Sequence, residues 1–137
     1  MVAGKAPRVL FADDDAEVRA VVRSTLQSHG WTVYEAATPA ATLDLAFHEQ
    51  PDGILLDVVF RQHSLDGLGV CRKLREAPLT RNIPIVMLAA DSTAADREQA
   101  VAAGATAYLT KPFRAQELVR ALSDALGVGT PDAPRDI

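Results

Sequence analysis

The sequence holds a single cysteine, Cys71, among its 137 residues. An intramolecular disulfide is thereby excluded, and this usage fits a reducing cytosol. No apolar run approaches the roughly 18 residues of a membrane-spanning helix. The N-terminal stretch MVAGKAPR lacks the apolar core of a secretory signal, so the expected location is cytoplasmic. Basic charge is scarce: 14 Lys and Arg stand against 18 Asp and Glu, for a net charge of -4. Binding to nucleic acid needs a basic stripe, so direct contact with it is not expected. The histidines, His29, His48 and His63, are scattered without the spacing of a metal site and read as surface residues. Internal repeats and low-complexity tracts are also missing.

What is present is enough apolar material for one core. The chain is 48% hydrophobic and 23% charged, the profile of a single globular domain. Apolar runs alternate with helical patterns. Arg8 to Ala12 reads as a buried strand. Ala16 to Ser28 places Val18, Val21, Val22 and Leu26 at helical spacing, with Gly30 as its terminal glycine. Trp31 to Glu35 alternates like a strand. Thr38-Pro39 is an N-cap followed by a first-turn proline, opening a helix that reaches Glu49. Pro51-Asp52-Gly53 reads as a turn, Ile54 to Leu56 as a central strand ending at Asp57, and Leu68 to Glu76 as a helix. Pro84 to Leu88 is a further strand. Thr93 to Ala103 is an alanine-rich helix closed by Gly104. Ala107 to Thr110 and Ala115 to Leu126 form the last strand and helix.

Strict alternation of five strands with five helices predicts an α/β fold, a doubly wound parallel sheet with helices on both faces. The flavodoxin-like strand order 2-1-3-4-5 is expected, with its switch point between the first and third strands. The domain is expected to span residues 7–126. Residues 127–137, rich in Gly, Pro and Asp, read as a flexible C-terminal tail or linker stub.

The switch point is where the unusual residues fall. Asp13, Asp14 and Asp15 follow the first strand, Asp57 ends the third, and Lys111-Pro112 follows the fifth. In an open parallel sheet the C-terminal strand ends converge on one crevice. Carboxylates meeting there repel unless a cation sits among them, and an ammonium beside them suits a phosphoryl group. Asp15 reads differently, as the cap of the first helix. Cys71, on a helix face with Leu68 and Leu74, reads as packing.

FADDD (11–15), ILLD (54–57), DG (66–67), PIVML (84–88) and AYLTKPF (107–113), in that order and spacing, resemble the receiver domain of two-component response regulators. The resemblance covers nearly the whole chain. It implies a phosphoaspartate formed from the phosphohistidine of a sensor histidine kinase or phosphotransfer protein, with Mg²⁺ as cofactor. By position, Asp57 matches the phosphoacceptor. Asp13 and Asp14 match the acidic pair holding Mg²⁺, with Asp57 and the backbone carbonyl of Val59 completing the protein ligands. Lys111 matches the phosphoryl partner, Tyr108 the aromatic switch, and Pro112 implies a cis Lys–Pro bond. The resemblance also implies an output and dimer face on the fourth helix, fifth strand and fifth helix, where Arg97, Gln99, Arg114 and Glu117 are candidates for contact with a downstream protein partner or in a homodimer.

Two departures from the family pattern stand out. The Thr or Ser expected at the end of the fourth strand is Ala89; Ser92 and Thr93 are close but begin the next helix. The hydrogen bond lost is worth roughly 1.5–3 kcal/mol, enough to weaken switching about ten- to hundredfold. The stretch from Val58 to Gly67 is about two residues longer than usual and lacks a proline, which is expected to alter access to Asp57. The main expectation is a stand-alone receiver, a phosphoacceptor and not a turnover enzyme. The alternative is a phosphorylation-independent interaction module, favoured by Ala89 and disfavoured by the intact acids and lysine. A small phosphatase with Asp13 as nucleophile and Asp15 as acid, like the haloacid dehalogenases, would leave Asp57 unexplained.

Overall fold

The computed structural model describes residues 6–90 and 93–128. The elements run β1 (Arg8–Ala12), α1 (Ala16–Ser28), β2 (Thr32–Ala36), α2 (Pro39–Glu49), β3 (Gly53–Asp57), α3 (Gly67–Glu76), β4 (Ile85–Ala89), α4 (Ala94–Ala103), β5 (Ala107–Thr110) and α5 (Ala115–Leu126). The strands form one parallel sheet in the order β2-β1-β3-β4-β5. The expected fold class and strand order are both observed. Residues 129–137, most of the expected tail, lie outside the described residues, as does Ser92.

Strand side chains alternate between the faces of the sheet, and each face finds its own helices. Leu10, Ile54, Leu56, Ile85 and Met87 pack with Val70, Cys71 and Leu74 of α3, Ala46 of α2 and Ala100 of α4. Val9, Phe11, Leu55, Val86 and Leu88 pack on the other face with Val22 and Leu26 of α1 and Leu118, Val119 and Leu122 of α5. A strand buried on both faces must be apolar at every position, which explains why β3 and β4 read as continuous hydrophobic runs. Cys71 is fully buried and serves this packing.

Several element ends differ by one residue from the sequence reading, each for a local reason. Trp31 precedes β2 because its N–H is spent on the Leu26 carbonyl at the end of α1. Pro84, with no N–H to give, stands before β4, which runs on to Ala89. Gly53 belongs to β3 and pairs with Val9, so the turn is confined to Pro51 and Asp52. Gly67 opens α3, and Thr93 caps α4 through its hydroxyl to Asp96 N at 3.1 Å. Thr38 caps α2 and Asp15 caps α1, as expected. His48 and His63 are exposed, whereas His29 is half-buried and donates through Nδ1 to the Thr25 carbonyl, 2.9 Å away.

The far end of the sheet is tied by two arginines. Arg75 donates to the carbonyls of Gly104, Arg81 and Ile83 at 2.7, 3.0 and 2.6 Å. Arg8 reaches the Tyr34 hydroxyl and the carbonyls of Glu49 and Gln50, which end α2. These clamps leave the opposite end, where β1, β3 and β5 finish, to carry the acids and the lysine.

Candidate functional site

The three consecutive aspartates have three different environments. Asp13 continues β1 by donating its N–H to the Ala36 carbonyl at 3.0 Å, which points it into the sheet end and buries it completely. Its Oδ1 accepts from Asp15 N at 2.9 Å and its Oδ2 accepts from Lys111 Nζ at 3.1 Å. Asp14 is half-buried, and its Oδ2 accepts from the backbone N–H of Arg61 at 2.8 Å. Asp15 turns away to cap α1, accepting from Glu17 N and Val18 N.

Asp57 ends β3, separated by β4 from the β5 strand that Lys111 follows, and its carboxylate lies 3.3 Å from Lys111 Nζ. A carboxylate oxygen from each of Asp13, Asp14 and Asp57 lies within 4.8 Å of the others. Burial, followed by repulsion from Asp13, raises the Asp57 carboxyl from its ordinary value to about 6; Lys111 and the Val59 N–H pull the other way without cancelling this. Burial lowers the affinity of Lys111 for its proton, but Asp57 and Asp13 outweigh it and hold the ammonium above its ordinary pKa. Lys111 is therefore fully charged at neutral pH. Its peptide bond to Pro112 is cis, as expected, and its N–H donates to the Ala89 carbonyl at 2.8 Å, which docks β5 against the end of β4.

Together Asp13, Asp14, Asp15, Asp57, Val59, Arg61, Ala90 and Lys111 line a cleft of about 250 Å³. The donor set is all oxygen and carries excess negative charge, which suits a hard divalent cation such as Mg²⁺. The predicted residues Asp13, Asp14, Asp57, Val59 and Lys111 thus share one place. The Asp66-Gly67 pair supports it from below. Asp66 caps α3 through Gly69 N at 2.9 Å, and Gly67 N donates to the Val58 carbonyl at 2.7 Å. A side chain at Gly67 would strike the carbonyl of Asp57, so glycine is required here for close approach.

Ala89 and Tyr108 lie apart from that cleft, on the rim of a neighbouring cavity of about 160 Å³ shared with Val58, Val59, Leu68, Ala90, Asp96 and Gln99. Tyr108 is half-buried, with the Arg97 guanidinium 4.8 Å from its ring centre. Arg97, Gln99, Arg114 and Glu117 are exposed as expected, although Glu117 also accepts from Arg114 N and closes the start of α5.

Two residues at the site were missed from sequence. Arg19 donates to the Asp13 carbonyl at 2.7 Å and pairs with Glu35 at 3.3 Å, tying α1 and β2 to the acidic end of β1. Its place one turn after the helix cap was the available signal. Arg61 approaches Asp14 from the stretch between β3 and α3, and only the loop's path reveals it.

An open parallel sheet whose switch point holds two buried aspartates, a third acid and a lysine before a cis proline defines a receiver-type domain. The response regulator receiver domain family matches over residues 9–123, and the chain belongs to that family. It is 38% identical over 125 residues to the response regulator MprA of Mycolicibacterium vanbaalenii, an alignment covering 91% of this chain and 52% of that protein. The chain spans about half the length of the curated relatives it matches. Among solved structures, the Vibrio cholerae chemotaxis protein CheY4 superposes with a TM-score of 0.83 at 29% identity, covering 88% of this chain and 99% of that one. The receiver domain of a Pseudomonas aeruginosa sensor histidine kinase, with a magnesium ion coordinated in its active site cleft, gives 0.81 at 31% identity, covering 90% and 99%. Among the described residues, no helix is long and apolar enough to cross a membrane.

Proposed function

We propose that residues 7–126 act as a phosphoryl-accepting switch with Asp57 as the acceptor. The observation that carries this is the pairing of a buried Asp57 with Lys111 at 3.3 Å inside an acidic cleft. Asp57 is the nucleophile: a carboxylate oxygen attacks the phosphorus of a phosphohistidine, the new O–P bond forms, and the N–P bond breaks. The donor imidazole leaves with the electron pair and takes up a proton. The donor is a sensor histidine kinase or a phosphotransfer protein.

Asp13, Asp14, Asp57 and the Val59 carbonyl would hold Mg²⁺, which when bound neutralises charge on the phosphoryl oxygens. Lys111 is poised to pair with a phosphoryl oxygen, exchanging its contact with Asp57 for one with the more highly charged product. Arg19 fixes the Asp13 peptide, and Gly67 lets α3 approach the Asp57 peptide closely. Output leaves through the α4–β5–α5 face toward a protein partner or a second copy of the chain.

The test is intact mass after incubation with Mg²⁺ and a small phosphodonor, beside an Asp57→Asn control. A gain of one phosphoryl group that the control lacks is the expected result. Failure to label with both a small donor and a phosphohistidine protein would instead favour the phosphorylation-independent module.

A further inference from the structure

Arg61 lines the cleft yet has no part in the proposed transfer. It stands in the lengthened stretch between β3 and α3, and the chain reverses directly behind it at Gln62, whose φ is 67°. That path brings both its backbone and its side chain onto one atom. The N–H donates to Asp14 Oδ2 at 2.8 Å, and Nε lies 3.5 Å from the same oxygen. Asp13 and Asp57 share Lys111 instead. With all groups ionised, the three clustered carboxylates, Asp13, Asp14 and Asp57, and the two cations that pair with them leave one net negative charge, to which Asp15 on the rim of the cleft adds another.

We propose that Arg61 is a built-in counter-charge: it competes with the divalent cation for Asp14 and sets the cation affinity of the receiver. This rests on the reading of Asp13, Asp14 and Asp57 as the Mg²⁺ site. The guanidinium opposes the cation in two ways. It occupies Asp14 Oδ2, and its charge repels a cation bound through either oxygen of Asp14. Its hold is nevertheless weak, because the side chain is 71% exposed and the pair is open to solvent screening. A cation therefore displaces Arg61 at a cost and is not excluded by it. Arg61 is a positioning residue whose effect is graded.

The test is calorimetric titration of the full, metal-free chain with Mg²⁺ for the wild type, Arg61→Gln and Arg61→Lys, at low and high salt. Removing the charge in Arg61→Gln should tighten binding about two- to fivefold at low ionic strength, and added salt should close the gap. Arg61→Lys retains the charge and should bind as weakly as the wild type, a rescue that a purely steric role of the guanidinium would not give. Equal or weaker binding by Arg61→Gln, or a gap that salt leaves unchanged, overturns the proposal. Asp14→Ala separates the two levels of inference. If the wild type binds Mg²⁺ and Asp14→Ala loses it while Arg61→Gln matches the wild type, the role of Arg61 fails and the site reading stands. If neither the wild type nor Arg61→Gln binds Mg²⁺, both fail.

Discussion

Asp57→Asn should make the metal-free protein more stable at neutral pH, although it removes the proposed acceptor. The side chain is 9% exposed, and burial next to Asp13 raises its pKa from 3.8 to about 6. A carboxyl whose folded pKa lies above its unfolded value binds its proton more tightly in the native state. Stability from this group is thus fully present below about pH 4 and is lost as pH rises through about 6. At about 1.4 kcal/mol per pKa unit, the upper bound of the loss is about 3 kcal/mol. Asparagine avoids the charge but forgoes the attraction to Lys111, which keeps Asp13 as its partner at 3.1 Å. The net gain expected near pH 7.5 is about 1–3 kcal/mol, shrinking toward zero near pH 4. Urea unfolding in a chelator at the two pH values measures it. Saturating Mg²⁺ should also narrow the gap, since a cation stabilises the ionised acid through binding to the native state. An Asn variant less stable than the wild type at pH 7.5, or a gap equal at both pH values, would refute the reasoning.

Gly67→Ala should destabilise the fold by about 1–3 kcal/mol in urea unfolding, because the new methyl drives into the Asp57 backbone and something must shift. Gly30→Ala is the contrast: nothing lies within 4 Å, and only its φ of 85° opposes a side chain, at a cost of about 1–2 kcal/mol and with no effect on phosphoryl uptake. Ala89→Thr places a hydroxyl and a methyl at the rim of the 160 Å³ cavity beside Tyr108. It should strengthen the coupling between phosphoryl group and switch about tenfold, read as a larger change in the Tyr108 ring resonances on adding a phosphoryl mimic; unchanged resonances would count against a hydroxyl-driven switch.

The fold was legible because its three central strands, β1, β3 and β4, are interior, while the edge strands β2 and β5 are only partly buried. A strand buried on both faces has no polar positions, so β1, β3 and β4 announce themselves as unbroken apolar runs, and the residue that ends each run is forced to the crevice. That is why Asp13, Asp57 and Lys111 can be placed together from sequence: each lies where a strand stops. Asp15 was legible for a different reason, since a short acid just before a helix satisfies N–H groups that the helix leaves open. Element ends were less legible where a single N–H decides them, as at Trp31 and Pro84. Arg61 and Arg19 were not legible as site residues. Their roles depend on which carbonyl or carboxylate a long side chain meets across a loop or a helix face, and no local pattern encodes that. The division has a consequence for this chain's chemistry. The residues to which the proposed function assigns transfer, Asp57 and Lys111, stand at strand ends and match the family pattern. The residues proposed to tune binding and signalling, Arg61 in the loop and Ala89 beside Tyr108, lie where this chain departs from that pattern. If variation in those two places tunes cation affinity and switching without moving the acceptor, Arg61→Gln and Ala89→Thr should alter binding and output while Asp57 remains the residue that is labelled.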